Sequence, residues 1–181
     1  MDNGHAREEL LSRWTRGVKV AMVGHYNAAT SCAHSHYLLG FPLVMLSTIA
    51  GTSIFAAIGQ DPGPLSKAVV GTISILAAVL ASAQTFFGYT ARAEKHSRAG
   101  ARFGSLLKEI EQKTAFPPSS DEDLEEWVED FRKRWTALSD ESPTVPRRIW
   151  DEANRNVDKE LRESRKKPTD LSPDDEVRPA A

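Results

Sequence analysis

The chain has one cysteine, Cys32, in 181 residues, so no internal disulfide can form and the fold must be held by packing alone. Charge is missing over long stretches. No Asp, Glu, Lys or Arg occurs in the 41 positions between Lys19 and Asp61, nor in the 24 between Lys67 and Arg92. Catalytic signatures are missing too: there is no glycine-rich phosphate loop, no G-x-S-x-G elbow, no H-E-x-x-H and no pair of C-x-x-C knuckles. Neither catalysis nor a cofactor is therefore expected. The formal net charge of −2 gives no basic surplus, which disfavours a nucleic-acid partner, because affinity for a phosphate backbone needs a positive surface. The first apolar run begins near residue 38 and is longer than the 7–15 residues of a secretory signal core, so no signal peptide is expected.

What charge there is lies outside those stretches. Residues 1–36 sum to +1, residues 92–116 to +3 and residues 117–181 to −6. Leu38 to Ile58 is an uncharged run of 21 residues, which as a helix spans roughly 31 Å, the hydrocarbon thickness of a bilayer. Ala68 to Ala91 is a second such run, and Phe86, Phe87 and Tyr89 near its end suit the interface. The expected fold is all-α: a two-helix transmembrane hairpin, with spans at 37–58 and 68–91 joined by an external turn at 59–67. Basic residues flank the open end (Arg7, Arg13, Arg16 and Lys19 before it; Arg92, Lys95, Arg98 and Arg102 after it), whereas the turn has Lys67 alone. The positive-inside bias places both termini in the cytoplasm of a multi-pass, inner-membrane protein.

Both spans are expected to continue inward as a coiled-coil-like stalk, residues 1–36 on one side and 92–116 on the other. The seams are Val18, Met22, His25, Ala29, Cys32 and His36 against His96, Gly100, Phe103, Leu107 and Ile110, at steps of three and four. An antiparallel arrangement is expected to bring residues near 32 level with residues near 96. Phe116-Pro117-Pro118 ends the second long helix, and Ser120 followed by acids starts another, about 121–139, with Leu124, Trp127, Phe131, Trp135 and Leu138 on one face. Pro146 suits the first turn of a last helix reaching about Lys166, striped by Ile149, Trp150, Ala153, Val157 and Leu161. This helical pair, within 117–166, needs a partner surface, the stalk or a neighbouring subunit. The composition of 167–181 reads as a disordered tail.

Three groups of side chains invite a chemical reading. His25, Cys32 and His36 share a helical face, with His96 expected across from Cys32, and imidazole with thiolate can bind zinc. They lack the close spacing of zinc sites, so these four, with Gly100 and Phe103, are assigned to stalk packing and no metal is expected. Ser47, Thr48, Gly51 and Thr52 gather within a narrow arc of the first span, as Ser74, Ala78, Ala81, Ser82 and Thr85 do in the second. Small-xxx-small spacing accounts for close packing within the hairpin. Lining of a pore by the first group is the alternative, and requires several copies. Arg92, Lys95, Arg98 and Arg102 suit anionic lipid at the inner leaflet, or a small anionic signal. Pro42 either kinks the first span or is a passive irregularity.

Specific runs carry a further resemblance. The helix His25-Tyr26 to His36-Tyr37-Leu38-Leu39-Gly40 leads into Pro42-Leu43-Val44 and Leu46-Ser47-Thr48-Ile49-Ala50-Gly51-Thr52-Ser53-Ile54-Phe55. The second span closes with Gln84-Thr85-Phe86-Phe87, followed by Ala93-Glu94-Lys95-His96-Ser97-Arg98-Ala99-Gly100-Ala101-Arg102-Phe103. Over about residues 10–115 this resembles the SLATT family, two-transmembrane effector domains associated with SMODS nucleotidyltransferases and SLOG proteins in bacterial conflict systems. The resemblance implies a homo-oligomeric, pore-forming effector of anti-phage defence, opened by an upstream nucleotide signal or a defence-system protein. It carries over no active site. The rival expectation is a non-conducting membrane anchor that recruits a cytoplasmic partner.

Overall fold

The computed structural model describes residues 3–58, 63–118 and 120–166. These form five helices: α1 (Asn3–Ala56), α2 (Pro64–Phe87), α3 (Tyr89–Ala115), α4 (Asp121–Glu141) and α5 (Arg147–Lys166), with no strand among the described residues. The expected turn falls partly, at 59–62, and the expected tail wholly, at 167–181, outside the described residues.

α1 is the central element and runs unbroken for 54 residues, continuing through Pro42. α2 and then α3 pack antiparallel along it, as shown by the pairings of His36 with Gln84 and of His25 with His96. Over the apolar half the seam recurs every three or four residues: Leu39, Leu43, Leu46, buried Ala50 and Ser53 face Ile73, buried Ala77, Leu80 and Gln84. The other faces of this half are open. Tyr37, Phe41, Phe55, Leu65, Ile75 and Phe86 are all more than half exposed.

The charged half is a packed four-helix bundle. Val18 and Ala21 of α1 join Phe103, Leu106, Leu107 and Ile110 of α3 and Phe131 and Leu138 of α4 in one core, against which Trp14, Trp127 and Trp135 pack. Val20, on another side of α1, meets Ala153 and Val157 of α5 in a second. Because α1 is enclosed on several sides, consecutive residues such as Val20 and Ala21 are both buried, which no single amphipathic stripe produces. The aromatic-faced helices α4 and α5 thus find their partner in the same chain.

Local signals account for most boundaries. The Ser120 side chain accepts from the Asp123 N–H at 3.1 Å and caps α4, while the Pro146 carbonyl accepts the first backbone bonds of α5, from Ile149 and Trp150. One boundary departs from expectation. The second long helix breaks at Gly88, whose left-handed φ of 56° ends α2 and begins α3. Glycine adopts that conformation without a Cβ clash, so the α2–α3 joint falls inside the apolar run, four residues before Arg92.

Candidate functional site

The imidazoles of His25 and His96 meet between α1 and α3, Nδ1 to Nδ1 at 3.1 Å, with only 4% and 7% of each residue exposed. This bond requires one ring to carry its proton on Nδ1 and the other on Nε2. His25 also stacks on Phe103, with centroids 5.3 Å apart. Burial, with the neighbouring His96 adding to it, lowers the His25 pKa from 6.5 to about 4, and burial lowers that of His96 too. Both rings are therefore neutral at physiological pH.

The expected level of His96 with Cys32 is corrected by this pairing: His96 lies beside His25, seven residues and two turns away. The partners straddle the connection around residues 59–62 evenly, and an estimate made from the span ends alone misses that centre. Cys32 is a partly buried free thiol, and His36 contacts Gln84 Nε2 at 3.1 Å and Thr90 Oγ1 at 3.3 Å instead of joining the other histidines. Among the described residues, no three His, Cys, Asp or Glu side chains come together in a way that could hold a metal ion. Gly100 is buried against a ring: a Cβ there would lie 3.3 Å from the Tyr26 aromatic carbons.

The small, hydroxyl-bearing faces do not pack within the α1–α2 pair. Ser47, Thr48 and Thr52 are exposed, a Cβ on Gly51 would meet nothing within 4 Å, and Ser74 and Ala78 are exposed as well. The expectation that they make the close helix contact is thus overturned. Leu, Ala and Ser at the three-and-four steps of the seam take that role, and the hydroxyl stripe has no packing partner among the described residues. Thr48 Oγ1 donates to the Val44 carbonyl and Thr52 Oγ1 to the Thr48 carbonyl, each at 2.8 Å, so their polarity is satisfied within the helix.

The four basic residues of α3 divide. Arg98 pairs with Glu94 one turn away, and Arg102 Nη1 reaches Glu141 Oε2 of α4 at 2.6 Å, while Arg92 and Lys95 have no ion-pair partner among the described residues. Further along, the Glu109 carboxylate accepts from both Arg134 terminal nitrogens, at 2.6 and 2.8 Å, and from Trp127 Nε1 at 2.7 Å. The Arg134 bonds hold Glu109 below the usual carboxylate range.

Sequence reasoning missed a cleft in the bundle, because its walls come from four separated segments. About 510 Å3 in volume, it is lined by His25 of α1, Phe103 of α3, Trp135 and Ser139 of α4, the 142–145 connection and Trp150 of α5. A second, adjoining cleft is lined by Lys95, Arg98, Arg102 and Glu141, and shares Ser142 and Pro143 with the first. The only signal in the sequence was the presence of two indoles on neighbouring helices. Comparison with family models, with curated proteins and with solved structures finds no match to this chain.

Proposed function

We propose that the chain is a multi-pass inner-membrane protein with both termini cytoplasmic, and that copies of it assemble into a pore opened from the cytoplasmic bundle, as an effector of anti-phage defence of the SLATT kind. The observation carrying the membrane part is the surface of the apolar half. Large side chains from Tyr37 to Ile58 and from Leu65 to Phe87 stand exposed around two helical stretches that carry no charge but Lys67, in helices each long enough to cross a bilayer. A soluble monomer rarely leaves so extensive an apolar collar in water, whereas lipid tails cover it without cost. The pore part draws on the unpartnered stripe of Ser47, Thr48, Gly51 and Thr52, since a water path through two-helix subunits needs several copies turning a hydroxyl-bearing face inward.

The rival reading, a non-conducting anchor that recruits a partner to the bundle, is favoured by one observation. The hydroxyls of Thr48 and Thr52 already donate to their own helix, so lipid can cover them at little cost.

Purified protein in liposomes with a trapped dye separates the two. A pore releases dye under an activating condition, and after Cys32→Ser a water-soluble thiol reagent modifies Thr48→Cys and Thr52→Cys but not Phe41→Cys on the collar. Absence of leak, with both threonine positions protected, establishes the anchor.

A further inference from the structure

We propose that the cleft between α1, α4 and α5, together with the basic cleft it adjoins, binds a planar heteroaromatic ligand carrying a phosphate or carboxylate. The inference rests on the bundle alone and holds whether or not the apolar helices conduct.

The ring half is built from α1 upward. Gly17 and Ala21 form a low floor, with the Trp135 indole lying against Gly17 and the Trp150 indole against Gly24. A Cβ on Gly17 would be 3.0 Å from the Trp135 ring, and one on Gly24 3.5 Å from that of Trp150. Seven residues separate the two glycines, about 10 Å of helix axis, so the indoles meet α1 two turns apart at the two ends of the cleft floor. Trp150 lies on the inward stripe of α5 and is 39% exposed, so part of its ring faces the cleft and solvent. A volume of about 510 Å3 falls in the range of small-molecule sites.

Polar groups fix an edge of the ring. Nδ1 of His25 is taken by His96, and no buried side-chain nitrogen or oxygen among the described residues lacks a partner, so the unbonded Nε2 of His25 keeps its contact with solvent. Thr144 Oγ1 has no hydrogen bond of its own among the described residues, whereas Ser139 and Ser142 spend their protons on backbone carbonyls and offer only lone pairs. A neutral donor–acceptor edge of this kind matches ring nitrogens and exocyclic groups better than it matches an aliphatic ligand.

The charge half follows from what lines each cleft. No Asp, Glu, Lys or Arg lines the aromatic cleft, while the adjoining one carries three cations against Glu141 alone. Lys95 is the cation without an ion-pair partner, so it has charge available for an anionic substituent reaching past Ser142 and Pro143.

Isothermal titration calorimetry on the full-length protein in detergent micelles tests this. The probes are AMP for ring plus phosphate, nicotinate for ring plus carboxylate, adenosine for ring alone and ribose 5-phosphate for charge alone. The expected result is that AMP or nicotinate binds, and that whichever does so best exceeds both half-probes by about tenfold. Trp150→Ala should weaken it about tenfold, the usual loss on deleting a stacking ring. Lys95→Gln, an exposed change that leaves the fold intact, should weaken it about threefold, a typical effect for one partly solvated ion pair. Preference for AMP assigns the phosphate, and preference for nicotinate the carboxylate. The proposal is overturned if neither binds, if a half-probe binds as well as the whole, or if Lys95→Gln and Trp150→Ala, both folded by circular dichroism, leave the affinity unchanged.

Discussion

His25 shows how a single residue sets a pH limit for the bundle. In the unfolded chain its imidazole takes a proton near 6.5, but in the fold it resists protonation down to about 4, and His96 is shifted the same way. A folded pKa below the unfolded one means that stability is complete above about pH 6.5 and is lost as the pH falls towards 4. Thermal melts of the full chain in detergent should therefore show Tm falling across that window, and His25→Gln, which takes up no proton, should flatten the fall. Gly100 makes the complementary case through space. Ala at that position meets a Tyr26 ring that is 42% exposed and free to shift, so Gly100→Ala should be close to neutral. Gly100→Leu should cost about 1–3 kcal/mol, as overpacking of a close contact does, measured by chemical unfolding.

At the scale of elements, the joint at Gly88 separates α2, whose large apolar side chains stand exposed, from α3, which packs in the bundle core. Gly88→Ala puts a Cβ on a left-handed residue and should destabilise by about 1 kcal/mol, whereas Gly88→Asn, which tolerates that conformation, should cost less; Tm reads the difference. The starts of α4 and α5 were legible because each is written locally, in the Ser120 cap and in Pro146. The break at Gly88 was not. A glycine inside an apolar run reads as tolerated helix, and only the conformation distinguishes it. The faces of α1 and α2 were misread for a related reason: Ala and Ser occupy both the packed seam and the open stripe, so residue type alone could not decide between Ala50 and Gly51 as the contact.

For the whole molecule, the division into an apolar half and a charged half was legible from charge placement alone. The bundle's clefts were not, because they depend on register. A two-turn shift of α3 along α1 decides whether His96 faces Cys32 or His25, and no local signal encodes it. A prediction at this scale concerns partitioning: the protein should stay with the membrane through a high-salt wash and be released only by detergent. Release by salt would mean that the basic side chains of α3, and not the apolar collar, hold it there.

The unbroken course of α1 has a mechanical consequence. A helix of 54 residues is a rod about 80 Å long, fixed at one end among α3, α4 and α5 and at the other against α2 alone. Leaning the bundle swings the far tip of that rod as a lever does, with Pro42 the residue along the shaft whose missing N–H leaves a turn free to bend. The return limb has its joint at Gly88, where the left-handed glycine lets α2 and α3 change direction relative to one another.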